Sequence, residues 1–399
     1  MAYLLTDEQL KWQAKARAFA AERIQGRIQE YYKEARFPRD ILEEMAQEGL
    51  FSAPYPKAYG GSEAGYLTQI VITEAIAYYD PGVASAMNVQ GINVPTAILR
   101  WGTEEQKRKY LPELIRCRLI GFFGLTEPNA GSDAAALQTR AVRASGGYVL
   151  NGEKMFITHC TVADMGLVFA KTDPEKGHRG ITAFIVHTDW PGVSAARVKG
   201  RLLNPLSPTG RLTFENVWVP EECRLGAEGD GFKVAMDALS FGRICVPARA
   251  LGLAHRALDY AVKFAAEHLD ESGTPIGKRQ MVQKEIADMV IDLEGARLLV
   301  YRAAWMKDQG LPCNRESSIA KLAATEAAVR IADRALRITG MHGYDEDSPL
   351  ARIYGRARVS MTGEGSSNIQ RMLIAEDALG WRDANRHERK AQAAQKPAV

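Results

Sequence analysis

Hydrophobic periodicity changes twice along this chain of 399 residues, and the change limits the folds open to it. Apolar residues recur at helical spacing up to about residue 118, alternate as in strands over 119–225, and return to helical spacing over 226–385. The end of the chain, 386–399, is charged and rich in alanine and glutamine, and we expect a flexible tail. Alternating βαβ units are absent and no GxGxxG run follows a strand, which disfavours a Rossmann nucleotide fold. The predicted class is α+β, mostly α, in three domains.

Local signals place elements within each part of the chain. Thr6 to Gln9 form a capping box in front of the first helix, and Pro38 marks the start of another. Asn151-Gly152 separates two strand-like runs and predicts a hairpin turn. Other helices are predicted at 66–79 and 95–118, and other strands at 166–170, 181–187 and 211–219. Four long amphipathic segments predict an antiparallel bundle: 231–266, 279–309, 315–340 and 367–378.

Composition excludes several classes of protein. A net charge of +3 without a basic stripe argues against a nucleic-acid partner. The five cysteines are odd in number, scattered and free of CxxC pairs, so neither a disulfide framework nor a zinc site is expected. No apolar stretch reaches the length of about 18 residues that a membrane helix needs. The acidic first residues lack the basic start of a signal peptide, and we expect a cytoplasmic protein.

The segment around Glu364 is the most informative motif for chemistry. Gly363 and Gly365 flank the carboxylate and let the backbone approach a ligand closely. Ser366 and the polar residues after it are typical helix N-caps, so free backbone N–H groups should lie beside the carboxylate. This arrangement suits a general base next to an oxyanion site. A surface glutamate favoured by a helix dipole fits the same residues.

Two stretches of the middle part could hold a planar ligand. The run LTEPNAGSD, residues 125–133, has a threonine hydroxyl and small residues whose N–H groups could face a ligand, although a connecting loop would look alike. In Met155-Phe156-Ile157-Thr158, alternation puts Phe156 and Thr158 on one strand face. An aromatic ring and a hydroxyl could stack on and hydrogen-bond a ring system, although an ordinary core strand is the commoner explanation of such a pattern.

Taken together, five motifs resemble the acyl-CoA dehydrogenase family of flavoproteins. They are LTEPNAGSD, NGEKMFIT, GFKVAM followed by GR, GMHGY and GEGSSNIQR, in the family's order and spacing over roughly residues 5 to 380. The resemblance implies an N-terminal helical domain, a central β-barrel domain and a C-terminal four-helix bundle, with boundaries here at 1–118, 119–225 and 226–385. It also implies FAD bound at subunit interfaces of a homotetramer or homodimer.

The resemblance assigns roles residue by residue. Glu364 matches the catalytic carboxylate, and the alternative position for the base, before Arg243, is Gly242. The implied reaction removes the α-proton of an acyl thioester while the β-hydride passes to flavin N5. The implied contacts to the cofactor are Phe123, Leu125, Thr126, Phe156, Thr158, Ser366 and Asn368. The implied contacts to the substrate are Ser132, Ser240, Arg243 and Gly365.

Departures from the family pattern affect both ligands. The arginine that binds FAD pyrophosphate in relatives corresponds to Leu269, and we expect Arg337 to supply the missing charge. The aspartate that often binds the pantetheine arm is Ser240, so an acyl-carrier-protein thioester is an alternative substrate. Because the arginine that glutaryl-CoA dehydrogenases place on their substrate's carboxylate corresponds to Ala84, we expect neutral short or branched acyl groups to be preferred over glutaryl-CoA.

Two further alternatives concern the acyl site and the function. Gly363 and Gly242 remove side-chain bulk beside the predicted base, which could widen the pocket unless a neighbouring side chain fills the gap. The missing pyrophosphate contact would also suit a non-catalytic flavin-binding assembly subunit. If the chain is catalytic, the resemblance implies an electron-transfer flavoprotein as the acceptor of its electrons.

Overall fold

A computed structural model describes residues 5–200, 204–345 and 348–382. The predicted tail, 386–399, lies outside these ranges. Twelve α-helices are present in the described part of the chain: α1 Asp7–Phe19, α2 Ile28–Glu34, α3 Arg39–Gln47, α4 Tyr66–Tyr79, α5 Pro81–Asn88, α6 Val94–Trp101, α7 Glu104–Ile115, α8 Gly231–Glu267, α9 Gln280–Asp308, α10 Asn314–Thr339, α11 Leu350–Ser360 and α12 Ser367–Ala378. Within the described ranges no helix is both long and apolar enough to cross a membrane.

Eight strands lie between the two helical parts of the chain. They are β1 Gly121–Gly124, β2 Arg140–Ala144, β3 Gly147–Thr158, β4 Met165–Lys171, β5 Ile181–His187, β6 Val193–Arg197, β7 Thr209–Pro220 and β8 Arg224–Leu225. The predicted order of helices, strands and helices is therefore confirmed. The exact domain boundaries stay a prediction, because contacts divide the chain into two compact units that each draw on separate stretches of sequence.

The described residues of the first unit are 5–25, 66–81, 243–345 and 348–382, and they contain α1, α4, most of α8 and α9 to α12. Helix α10 is its centre, because it packs against α9, α11 and α12 through buried small residues such as Ala324 and Ala328. The four segments predicted for the bundle are α8, α9, α10 and α12. Helix α11 is an additional element that the sequence analysis missed.

A buried ion pair joins α4 to α9 within the first unit. The Glu74 carboxylate accepts hydrogen bonds of 2.8 Å from the Arg297 guanidinium and the Tyr301 hydroxyl. Gly252 of α8 lies against the same stretch of α4, and a Cβ there would come within 2.4 Å of the Glu74 carbonyl oxygen. Glycine at position 252 therefore permits the close approach of α8 to α4. The Glu74 carboxylate has its hydrogen-bond partners on α9.

The second unit, 26–65 and 82–242, is built on the sheet. Its strands follow the order β6-β7-β3-β2-β4-β5-β8, and β1 pairs in parallel with β4. Strands β4 and β5 are almost fully buried, which explains their continuous apolar sequences. The long strand β3 pairs with β2 over residues 147–151 and with β7 as far as Thr158, so the residues at its end pair with β7 alone.

The predicted hairpin at Asn151-Gly152 is wrong. Both residues lie inside the continuous strand β3, and the turn is instead at Ser145-Gly146, between β2 and β3. Gly152 allows a register shift against β7, with φ at +142° and no room for a Cβ, which would come within 2.6 Å of Thr139 Oγ1. The Asn-Gly pair therefore forms a bulge because tertiary packing overrides the local turn preference.

Candidate active site

Glu364 lies in the short connection between α11 and α12, within the first unit. Ser366 is the N-cap of α12, and its hydroxyl accepts a hydrogen bond from the Ile369 N–H, which confirms the predicted helix start. The Gln370 side-chain amide donates to the carbonyl oxygens of Glu364 and Gly365 at 3.2 and 3.1 Å. Since Gly365 has φ at +88°, a side chain there would be strained. The backbone that carries Glu364 is therefore fixed by the helix that follows it.

Lys321 of α10 fixes the same connection from the other side. Its ammonium group is buried and donates a hydrogen bond of 2.9 Å to the Met361 carbonyl oxygen. Burial lowers the pKa of Lys321 to about 8, although the negative charge of Glu364 opposes this shift. Lys321 was not predicted as part of the site, because a lysine in an amphipathic helix ordinarily reaches solvent.

Two arginines of α8 add positive charge to this region. Arg243 and Arg249 are half-buried, and burial lowers the pKa of both while the charge of Glu364 opposes the shift. The Cys245 thiol between them is buried, and burial together with the Glu364 charge raises its pKa. The charge of Glu364 thus affects the pKa values of four groups, namely Lys321, Arg243, Arg249 and Cys245. Arg243 was expected here from the sequence, whereas Arg249 was missed.

A loop-and-strand platform forms a separate part of the candidate site, in the second unit. The backbone of Met155 in β3 donates to the Thr126 carbonyl oxygen at 2.8 Å, and Lys154 Nζ donates to the Leu125 carbonyl oxygen at 3.3 Å. These bonds hold the loop after β1 along the end of β3. The structure therefore brings together the two stretches of the middle part that the sequence analysis identified.

A buried ion pair supports this loop from below. Lys154 is fully buried and donates to Glu127 Oε1 at 2.7 Å, and Thr139 donates to the same carboxylate. Burial lowers the pKa of Lys154 to about 8, against the pull of Glu127. Burial alone would raise the pKa of Glu127, but Lys154 and the hydrogen bonds outweigh it and hold that pKa below the usual value.

Phe156 has an unusual backbone conformation that exposes its ring. A register shift separates Lys154 from Ile157, and Phe156 has φ at +58°, which is strained for a bulky residue. Phe156 is 59% exposed, Ile157 is buried and Thr158 is half-buried. Phe123 and Thr126 are also half-buried, whereas Leu125 is buried. An aromatic face and hydroxyl groups are therefore accessible on the platform.

Buried His159, next to Thr158, should make stability depend on pH. Its Nδ1 lies 3.0 Å from the Gly121 carbonyl oxygen, and burial lowers its pKa from 6.5 to about 4. Because the unfolded chain binds a proton between these values and the folded chain does not, the free energy of unfolding falls as pH drops from 6.5 towards 4. The free energy of unfolding, measured with urea, should fall between pH 7.5 and pH 5.0 in wild type. We expect this fall to be about 2 kcal/mol smaller in His159→Asn. Equal losses would show that His159 does not titrate in this way.

The remaining predicted contacts to substrate and cofactor occupy different environments. Ser132 and Asn368 are exposed, the first in a loop and the second in the first turn of α12. Ser240 is buried, and its hydroxyl donates to the Asp237 carbonyl oxygen at 2.7 Å. A Cβ on Gly363 would meet nothing within 4 Å, which agrees with open space beside Glu364.

Arg337, expected to replace the pyrophosphate arginine, already has partners. Its exposed guanidinium forms ion pairs of 3.2 Å with Glu285 and with Asp333. Leu269, which stands at the arginine position, is 54% exposed. A phosphate would have to join or displace the two carboxylates to bind Arg337. In the described ranges no cluster of three or more metal-ligating side chains is present.

Comparison with known proteins identifies the family to which this chain belongs. Sequence models of the N-terminal, middle and C-terminal domains of acyl-CoA dehydrogenases match residues 6–118, 122–217 and 229–379. The chain belongs to the acyl-CoA dehydrogenase family, whose members are flavin-dependent oxidoreductases. Its resemblance to that family, predicted from five motifs, is confirmed.

Relatives match over nearly their full length. An acyl-CoA dehydrogenase of Bacillus subtilis (strain 168) is 39% identical over 376 residues, or 94% of this chain and 99% of the relative. Butyryl-CoA dehydrogenase of Megasphaera elsdenii superposes with a TM-score of 0.91 at 37% identity, covering 94% of this chain and 99% of the other.

Two further structures are similar in fold and sequence. A chain from the structural study of the electron transferring flavoprotein of Acidaminococcus fermentans has a TM-score of 0.92 and 37% identity, covering 96% of this chain and all of the other. The prolyl acyl carrier protein oxidase AnaB has a TM-score of 0.90 and 33% identity, covering 93% and 99%. The protein is thus an oxidoreductase of the acyl-CoA dehydrogenase type.

Proposed function

We propose that Glu364 is the base with which this protein removes the α-proton of an acyl-CoA thioester, giving a 2-enoyl-CoA. The observation that carries the proposal is the carboxylate of Glu364, which stands on a backbone held by Gln370 and acts electrostatically on the cations Arg243, Arg249 and Lys321. Their charges favour the ionised carboxylate, which is the form that accepts a proton. The backbone N–H of Glu364 would polarise the thioester carbonyl as negative charge develops there.

The accessible face of the loop-and-strand platform fits the ring system of FAD. Phe156 would stack on the rings, with Phe123 and Leu125 beside it, and the hydroxyls of Thr126 and Thr158 would hydrogen-bond their edge. Ser366 and Asn368 would contact the ribityl and phosphate part, and Arg337 the far side of the cofactor. When bound, FAD supplies the acceptor for the β-hydride of the substrate.

Substrate contacts follow from the same assignment. Gly365 leaves room for the thioester beside Glu364, and Arg243 contributes positive charge to that region. Ser132 would contact the thioester-bearing part of the substrate from its exposed loop. Ser240 would line the path of the pantetheine arm without an aspartate charge. The alternative acyl-carrier-protein substrate rests on Ser240 and on the similarity to AnaB.

The spectrum of the purified protein tests the proposal. FAD-loaded protein is mixed without oxygen with butyryl-CoA, and in parallel with butyryl attached to an acyl carrier protein. Bleaching of the flavin by the CoA thioester supports the proposal. Bleaching by the carrier-protein thioester alone favours the alternative, and bound flavin that no acyl thioester reduces indicates a non-catalytic assembly subunit.

Two partners complete the proposed function. An electron-transfer flavoprotein would reoxidise the cofactor, as the similarity to a chain studied with such a protein suggests. Reoxidation of reduced enzyme by a purified electron-transfer flavoprotein tests this directly. The five cysteines are buried free thiols, which suits the reducing cytoplasm that we propose as its location.

Helix α9 offers a surface for self-association, which we propose as a homodimer or homotetramer. Ile291, Leu298 and Trp305 follow one another at intervals of seven residues and are 70%, 44% and 50% exposed. The double variant Ile291→Glu, Leu298→Glu places two charges on this stripe. Its mass measured by light scattering should be that of a smaller species. Lys263→Glu on α8 is the matched surface control. An unchanged mass in the double variant would rule out this stripe as the interface.

A further inference from the structure

Arg249 of α8 is a half-buried cation that the proposed reaction uses only for its charge, and no acceptor among the described residues is assigned to its N–H groups. Neither Arg243 nor Arg249 makes a hydrogen bond or ion pair with any residue in the described part of the chain, and the Nε atoms of both are shielded from solvent. A guanidinium carries five N–H donors in a planar fork suited to a carboxylate. Shielding a guanidinium N–H from solvent without giving it an acceptor is costly. Two such groups on one helix therefore indicate a missing anion.

The charges around Glu364 do not balance. Arg243, Arg249 and Lys321 all interact electrostatically with this one carboxylate, so three cations stand against it. Glu326 is the other carboxylate that raises the pKa of Lys321, and it already accepts hydrogen bonds from Arg371. Among the described groups whose pKa values respond to Glu364, the cations outnumber this carboxylate, and an anionic ligand could pair with one of them.

Position along α8 separates the two arginines. Arg249 follows Arg243 by six residues, which corresponds to about 9 Å along a helix axis. Both residues keep some accessible surface although burial lowers their pKa values, so a ligand can still reach them. Because Arg249 lies this far from Arg243 along the helix, its charge is suited to a substrate group several bonds from the carbon that Glu364 deprotonates.

We propose that Arg249 binds a carboxylate at the far end of the acyl chain, so that the substrate is the CoA thioester of a short dicarboxylic acid. The assignment rests on the proposed function and names its substrate class. It reverses the expectation drawn from Ala84, which considered only one position for the partner charge. Ala84 is fully buried on α5, and Arg249 supplies the cation from α8 instead.

A pair of thioesters with equal carbon number tests the assignment. FAD-loaded wild type is compared with glutaryl-CoA and pentanoyl-CoA, and kcat/KM is measured for each. We expect wild type to prefer glutaryl-CoA, and Arg249→Gln to lose about 10- to 100-fold more kcat/KM with glutaryl-CoA than with pentanoyl-CoA, the range that a hydrogen bond to a charged group accounts for. Arg249→Lys keeps the charge and should recover part of the loss. Arg256→Gln, on the same helix, is the control for a general disturbance.

The outcomes are distinct. If pentanoyl-CoA reduces the flavin and glutaryl-CoA has no advantage, the assignment of Arg249 is wrong and the proposed function stands. An equal loss with both thioesters in Arg249→Gln, with Arg249→Lys no better, also overturns it and indicates a structural arginine. If neither thioester reduces wild-type flavin, the proposed function fails and the assignment fails with it. Flavin content and circular dichroism of every variant show whether it has folded.

Discussion

Glu364→Gln should retain FAD and the fold but reduce flavin about 10²- to 10⁴-fold more slowly on mixing with acyl-CoA, the range of a positioned acid–base group. The amide keeps the shape of the carboxylate but cannot take the α-proton. Anaerobic stopped-flow mixing measures the rate. Glu376→Gln, which alters an exposed glutamate-to-arginine contact of α12, is the matched control and should react as wild type does.

A second readout separates the loss of the base from a disturbed site. Wild type should exchange the α-protons of a bound thioester with deuterium from solvent, and Glu364→Gln should not. If the variant reduces flavin at close to the wild-type rate, another group is the base. Slow reduction together with normal exchange would place the defect after proton removal.

Lys154→Met should destabilise the protein by about 3–5 kcal/mol, because it leaves the Glu127 carboxylate buried without its cation. The loop that carries Leu125 and Thr126 would also lose the hydrogen bond from Lys154, so FAD should be released more readily. Urea unfolding and flavin retention on gel filtration measure the two effects. Lys176→Met removes an exposed ion pair with Asp173 and should leave the stability nearly unchanged.

The double variant Lys154→Met with Glu127→Gln tests the cause. If the unpaired charge is responsible, removing both charges should restore part of the stability lost in Lys154→Met. A double variant that is less stable by the full sum of the two single changes would show that the residues act independently. In that case the ion pair is not what supports the loop.

The elements with clear periodicity and caps could be predicted from the sequence. Helix α4 and strand β5 have the predicted bounds, and the N-cap at Ser366 placed Glu364 at a helix start. Each depends on contacts between residues close in sequence, or on burial that leaves a regular apolar pattern. Such features are visible without knowledge of the tertiary structure.

Features that depend on distant residues were missed or wrong. The Asn151-Gly152 turn was wrong because β7 pairs alongside and Thr139 leaves space only for glycine. The positions of Lys321 and Arg249 depend on which helix faces are enclosed in the folded unit. Nothing in a local pattern distinguishes such a cation from one that reaches solvent.

A single-turnover experiment tests the central claim most directly. FAD-loaded wild type is mixed with butyryl-CoA in the absence of oxygen and of any other electron acceptor, and the flavin spectrum and the thioester products are measured together. We predict that one 2-enoyl-CoA forms for each flavin reduced, with none formed by Glu364→Gln on the same timescale. A flavin that stays oxidised with every CoA thioester tried, or that is reduced without formation of a 2-enoyl-CoA, would contradict the proposed reaction.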